Sequence, residues 1–168
     1  MVSSYNVISS DGFIARPDGS EDFIPDEVWD DFLDICRNYD TVVMGRKTYE
    51  TIQRYSKEMV TDFEDLNIKK IIVTSNDKYI PKNGYLVAHS PKDAFLEGQD
   101  ILLTSGPSLN SSALSESLID KVILNILPEK IGFGIKVFDT NPRLALLSAV
   151  NKPGNRKLCT YNISDKGI

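Results

Sequence analysis

Short apolar and β-branched runs recur along the chain at residues 5–9, 41–44, 70–74, 85–88, 100–104, 121–127, 136–139 and 157–163. Each is bounded by Gly, Pro, Asn, Asp or Ser, the punctuation that strands carry. Helical patterns lie between the early runs. Trp29, Phe32, Leu33 and Cys36 fall at i, i+3, i+4 and i+7 and make one apolar stripe. Pro25 fits the first turn of that helix, and Asp26 and Glu27 suit its positive end. Further helices are predicted from near Thr48, from near Pro91, and over residues 108–118. Strand–helix alternation through two-thirds of the chain implies an α/β fold with a mixed, mostly parallel sheet and helices on both faces. From Lys121 onward the pattern reads as strands joined by loops, so an antiparallel C-terminal hairpin is expected at one edge. No internal repeat or linker divides the chain, and residues 1–168 read as a single domain.

Composition narrows the class. A chain of 168 residues buries about two-thirds of its unfolded surface and needs no disulfide or metal staple. The hydrophobic fraction of 41% and charged fraction of 26% are ordinary globular values. A net charge of −5 disfavours nucleic acid and acidic membranes as partners. The N-terminus has no basic start or apolar core of signal-peptide length. Cys36 and Cys159 form no CxxC, which points to reduced thiols in the cytoplasm, with one long-range disulfide left open. Acids crowd into Glu21, Asp22, Asp26, Glu27, Asp30, Asp31 and Asp34, and bases gather at Arg46, Lys47 and Arg54. That contrast suits a small phosphorylated ligand, and equally a solvated helix face beside a structural turn.

Much chemistry is ruled down. His89 is the only histidine, so no zinc-ligand set and no G-x-S-x-G-linked triad is present. Walker A and Rossmann glycine motifs are absent too. The segment that remains is Met44-Gly45-Arg46-Lys47-Thr48-Tyr49-Glu50, where an apolar strand runs through a glycine and two bases into a helix. Gly45 lets backbone approach a ligand, and the helix start offers unpaired N–H groups and partial positive charge. Arg46 presents a planar donor fork, Lys47 a point charge, and Thr48 a cap or a phosphate-contacting hydroxyl. The same residues also fit a plain strand-to-helix turn with surface bases.

This segment resembles the cofactor-phosphate motif of the dihydrofolate-reductase-like superfamily, above all its riboflavin-biosynthesis reductase branch. Ser9-Ser10-Asp11-Gly12-Phe13-Ile14-Ala15 is similar to the first-strand exit of that branch. Ile71-Ile72-Val73-Thr74-Ser75-Asn76 resembles the strand that ends in hydroxyls beside the adenosine. Ile101-Leu102-Leu103-Thr104-Ser105-Gly106-Pro107-Ser108-Leu109 stands where the family has its glycine-rich turn. The closing strands from Leu118 to Phe138 match in order. The resemblance implies a three-layer dihydrofolate-reductase-like fold and NADPH as cofactor. It further implies Gly45, Arg46, Lys47, Thr48, Thr74, Ser75, Asn76, Ser105, Gly106, Ser108 and Leu109 around the nucleotide, with Ile14 and Ala15 by the nicotinamide. Asp11 falls on the substrate side, and a homodimer is implied by relatives.

Two departures bear on function. Ser105 replaces a usual glycine, and Pro107 removes a backbone donor, for which the Ser105 and Ser108 hydroxyls could compensate. Dihydrofolate reductases carry a pterin-binding carboxylate on the first helix; a gap-free count back from Gly45 puts Trp29 there, with Asp30 adjacent. Trp29 and Asp30 are therefore the other substrate-side candidates, and folate is an unfavoured substrate. The expected activity is hydride transfer from NADPH to a small substrate, as in 5-amino-6-(5-phosphoribosylamino)uracil reductase. Dihydrofolate reduction and non-catalytic nucleotide binding are the alternatives. The zinc-binding Cys/His pattern of the deaminase domain often fused to that reductase is absent from these residues, and no residue is singled out as proton donor.

Overall fold

The computed structural model describes residues 1–164. In chain order the elements are β1 (Val2–Ile8), β2 (Phe13–Ala15), α1 (Glu27–Cys36), β3 (Thr41–Gly45), α2 (Arg46–Ile52), α3 (Lys57–Glu64), β4 (Lys69–Val73) and β5 (Leu86–Ala88). There follow α4 (Pro91–Phe95), β6 (Ile101–Leu103), α5 (Pro107–Ser115), β7 (Lys121–Ile126), β8 (Ile135–Lys136), β9 (Leu144–Lys152) and β10 (Arg156–Ile163). Eight strands form one sheet in the order β5-β4-β3-β6-β1-β7-β10-β9, and β2 pairs with β8 apart from it. The pairs from β5 to β7 are parallel. β10 runs antiparallel to both β7 and β9. The mostly parallel α/β sheet and its antiparallel C-terminal hairpin are thus as expected.

The parallel strands are legible because both of their faces are covered, which makes them continuous apolar runs. Val42, Val43, Met44, Leu102 and Leu103 are wholly buried. One face packs on Phe32, Leu33 and Cys36 of α1, Ile52 of α2 and Phe63 of α3. The other packs on Ala94 of α4 and Ala113 of α5. The chain leaves β1 for β3, β4 and β5, then returns to lay β6 between β3 and β1. That reversal opens a crevice at the carboxyl ends of neighbouring strands, where α/β sheets take ligands.

Several local expectations shift. α2 begins at Arg46 rather than Thr48, and α5 spans Pro107–Ser115 rather than 108–118. Pro25 precedes the N-cap, Asp26, and so lies before the first turn. The run at 136–139 contributes only Ile135–Lys136. Three elements escape the sequence pattern, the short β2 among them. α3 is half charged, with only Val60 and Phe63 buried; Ser56 accepts from Met59 N at its start, and Lys70 lies at its end. The Lys70 ammonium donates to the carbonyls of Glu64, Leu66 and Ile68 at 3.2, 2.8 and 3.2 Å. β9 is the third, an edge strand whose leucines and alanines show no alternation. Cys36 and Cys159 are both buried and unpaired, which closes the disulfide alternative.

Candidate functional site

Two helices start side by side in the crevice. β3 ends at Gly45, the N-cap of α2; β6 leads through Thr104 and Ser105 to Gly106, the N-cap of α5. β3 and β6 are neighbours in the sheet. Neither helix has a side-chain cap or an acidic residue in its first turn. The other three differ: Ser56 and Ser90 cap α3 and α4, and α1, α3 and α4 each carry first-turn acids. The first N–H groups of a helix lack intrahelical partners, and its start carries roughly half a positive charge. At α2 and α5 no side-chain cap and no first-turn acid takes up either.

The two glycines serve differently. A Cβ on Gly45 would lie 2.8 Å from Ser105 Oγ, so Gly45 permits close packing between strand ends. Nothing stands within 4 Å of a Cβ built on Gly106, so its backbone faces open space. Ser105 is a strap: its Oγ accepts from Gly45 N at 3.2 Å, and the residue is buried. Pro107 sits in the first turn of α5, where its missing N–H is one of the unpaired set anyway. Ser108 is exposed and Leu109 half-buried against the core.

Beneath the crevice lies a buried amide network. Asn6 Nδ2 donates to Ser105 O at 2.8 Å. Asn110 Nδ2 lies 3.1 Å from Asn6 Oδ1, 3.0 Å from Ser105 O and 3.1 Å from Val137 O. Two amide protons cannot serve three acceptors fully, so the contacts are shared. The network fixes the Ser105 backbone from β1 and α5 without adding charge beneath the two helix starts.

The bases surround the mouth. Arg46 Nε lies 3.7 Å from Glu50 Oε1, and its guanidinium stands 5.9 Å from the Tyr79 ring centroid. Lys47 is exposed, and Thr48 is the third residue of α2, not its cap. Thr74, Ser75 and Asn76 follow β4, the other neighbour of β3. Thr74 Oγ1 accepts from Asn76 N at 3.2 Å, and His89 Nδ1 meets Thr74 O at 2.9 Å. His89 therefore sits in an exposed turn contact, as its place in the sequence implies.

The substrate-side candidates separate. Asp11 takes hydrogen bonds from Ser9 Oγ at 2.7 Å, Ile131 N at 3.2 Å and Gly132 N at 2.7 Å, tying the β1 exit to the loop before β8. The Ser9 hydrogen bond leads in holding its carboxyl below the usual range. Ile14 and Ala15 lie in β2, directly after that turn. Trp29 is half-buried among Phe32, Tyr55 and Phe63, with ring centroids 5.2, 5.3 and 6.1 Å away. Its Nε1 is buried without a hydrogen-bond partner among the described residues. Tyr55 in turn donates to Glu21 Oε2 at 3.1 Å, joining the loop before α1 to the turn between α2 and α3. Asp30 is exposed.

Sequence reasoning missed Asp31, the buried carboxylate of α1. Its Oδ2 accepts from Arg156 Nη2 at 2.9 Å and Asn125 Nδ2 at 3.0 Å, and its Oδ1 lies 3.3 Å from Lys152 Nζ. Burial pushes the carboxyl up, but Asn125, Arg156 and Lys152 outweigh that and hold it below the usual range. The available signal was an acid at i+3 from Val28 and beside Phe32, on the buried face of the helix. Its partners lie more than ninety residues away, so no local pattern announces them.

No family model matches the chain. The uncharacterised protein YwjB of Bacillus subtilis is 28% identical over 143 residues, covering 80% of each chain. Among solved structures, a Shewanella protein provisionally assigned to riboflavin biosynthesis superposes with a TM-score of 0.77 at 18% identity, covering 98% of this chain and 99% of that one. Dihydrofolate reductase from Enterococcus faecalis, solved with NADP(H), gives 0.68 at 18% identity, covering 98% and 97%. The fold is therefore the dihydrofolate-reductase-like one, with helices on both faces of its sheet.

Proposed function

We propose that this chain is an NADPH-dependent reductase of a small heterocyclic substrate, resembling 5-amino-6-(5-phosphoribosylamino)uracil reductase of riboflavin biosynthesis. The observation that carries the reading is the pair of uncapped, acid-free helix starts at adjoining strand ends, with Arg46 and Lys47 at their rim. A pyrophosphate fits there: Gly106 leaves room for close approach, and two sets of N–H donors face one crevice. In this reading Arg46 and Lys47 take the 2′-phosphate, and Thr48, Ser108 and Leu109 border the pyrophosphate. Thr74, Ser75 and Asn76 flank the adenosine, and Ile14 and Ala15 lie by the nicotinamide. When bound, the cofactor supplies the hydride. The protein's part is to align the two reactants and exclude water. Asp11 serves the substrate side through the loop it ties, and Trp29 forms a wall there. A cytoplasmic setting suits the reading, and no described helix is long and apolar enough to cross a membrane.

Folate is disfavoured for a reason more specific than the count from Gly45. The buried acid of α1 already has Arg156 and Lys152 as counter-ions. A protonated pterin would have to displace them. Nicotinamide fluorescence titrations of NADPH and NADH test the proposal. Arg46→Ala should weaken NADPH about ten- to a hundredfold and leave NADH nearly unchanged, since a hydrogen bond to a charged group contributes about 1.5–3 kcal/mol. Equal weakening of both would leave Arg46 a structural residue, and no binding of either removes the reductase reading. Nanomolar methotrexate binding in the presence of NADPH would restore the folate one.

A further inference from the structure

We propose that Tyr79 and Glu50 set the preference for a phosphorylated nucleotide: Tyr79 orients Arg46 for the 2′-phosphate, and Glu50 competes with that phosphate for the same guanidinium. Both roles rest on the cofactor reading above and deepen it, since each side chain acts through Arg46. Arg46, Tyr49 and Glu50 stand at i, i+3 and i+4 of α2 and share one of its faces. The chain after β4 folds back over that face. Asn76 makes the turn: its Oδ1 accepts from Lys78 N at 3.0 Å, and its carbonyl accepts from Tyr79 N at 3.2 Å. Tyr79 then meets Tyr49 edge to face, with centroids 6.4 Å apart and planes at 89°. Farther along, Lys82 N donates to Tyr49 Oη at 3.1 Å, a second tie between this segment and α2.

Ring, carboxylate and guanidinium meet there. The Arg46 guanidinium stands over the Tyr79 ring, 5.9 Å from its centroid. Arg46 Nε lies 3.7 Å from Glu50 Oε1, and the Tyr79 hydroxyl donates to the same oxygen at 3.4 Å. Burial, and after it the Glu50 carboxylate, push the Tyr79 phenol up, so it stays a neutral donor. An aromatic ring holds a guanidinium by its face, whereas a phosphate takes the edge through parallel N–H donors. Tyr79 therefore keeps Arg46 in place while a phosphate binds. Glu50 does not, because its carboxylate is drawn to the same cation and repels the incoming phosphate. The two side chains are 43% and 40% exposed, so their ion pair is weak and gives way to a more highly charged anion.

Fluorescence titrations of NADPH and NADH against the full chain test both roles. Glu50→Gln should tighten NADPH about fivefold and Tyr79→Leu should weaken it about fivefold, with NADH unchanged in each. Tyr79→Phe keeps the ring and should hold the wild-type NADPH affinity within about twofold. In an Arg46→Ala background Tyr79→Leu should have no further effect, because it acts through the guanidinium. A Tyr79→Leu loss that persists without Arg46, or that NADH shares, would make Tyr79 a packing residue of its loop and overturn the orienting role. An NADPH affinity unmoved or weakened by Glu50→Gln would overturn the competition. A wild type that binds both nucleotides alike, whatever stands at position 46, would instead remove the cofactor reading and both roles with it.

Discussion

Two buried polar clusters lie beneath the carboxyl half of the sheet, and they are built on opposite principles. Under the crevice between β3 and β6, Asn6 and Asn110 join β1, Ser105 and α5 with neutral amides. Under α1, Asp31, Arg156, Lys152 and Asn125 join the first helix to β7 and the C-terminal hairpin with charges. Neutral amides fix backbone without altering the field, so the helix starts above them keep their attraction for an anion. The charged cluster does the reverse: it neutralises itself and fastens distant segments. In the proposed reading one cluster prepares the cofactor site, and the other holds the molecule around it.

The largest expected effect follows from the charged cluster. Removing one partner of a buried ion pair leaves the other desolvated and alone, which costs about 3–5 kcal/mol. Asp31→Ala should lose that much in urea unfolding. The double variant Asp31→Leu with Arg156→Met should lose less than Asp31→Ala, because no guanidinium is stranded. A double variant as unstable as the single one would show that shape rather than charge dominates there.

The same carboxylate sets an acid limit. Its folded pKa lies below the unfolded value of about 3.9, so its stabilisation is present above that value. It is lost as pH falls through the folded value, because the unfolded chain then binds the extra proton. Between about pH 4 and the acid transition, the wild type should lose stability more steeply than Asp31→Asn. Parallel curves for the two proteins would remove Asp31 from the acid response.

How much of this was legible in the sequence follows from where the partners lie. The strands around the crevice are buried on both faces, and Val42, Val43, Met44, Leu102 and Leu103 announce themselves as apolar runs. Gly45 and its basic neighbours suggest a phosphate site by local chemistry, and fit a plain strand-to-helix turn as well. β9 was hidden because a strand exposed on both faces has no alternation to read. α3 was hidden because its apolar face is short, with Val60 and Phe63 its buried residues, while Ser56 caps its start and Lys70 holds the carbonyls at its end. The role of Ser105 was half legible: its position was evident, while the strap to Gly45 N spans sixty residues.

The neutral cluster should show an intermediate effect. Asn110 is wholly buried, and its amide serves acceptors on three segments. Asn110→Ala strands some of those acceptors, at a cost of about 1–3 kcal/mol. It should also weaken NADPH, because Ser105 and the N-cap of α5 lose their support. Asp31→Ala, measured at a temperature where it is folded, should leave NADPH affinity far less changed. If both variants lost cofactor affinity equally, the two clusters would not divide the work between site and scaffold.

The smallest stability change, and the most pointed one, belongs to Gly106. Its φ of −80° and ψ of −178° suit any residue, and an added Cβ meets nothing within 4 Å. Gly106→Ala should therefore cost no more than about 1 kcal/mol in unfolding, the difference between glycine and alanine at an N-cap. Gly45→Ala is its control, because there the new methyl would lie 2.8 Å from Ser105 Oγ and break the strap. A pyrophosphate seated on the start of α5 would fill the space that the Gly106 methyl takes. NADPH affinity should then fall about tenfold, or about 1.4 kcal/mol, in a protein that stays fully folded. Since both cofactors carry the pyrophosphate, NADH should weaken in the same proportion, unlike the selective loss expected from Arg46→Ala. An affinity untouched by the Gly106 methyl would move the pyrophosphate away from α5 and leave α2 alone to hold the anion.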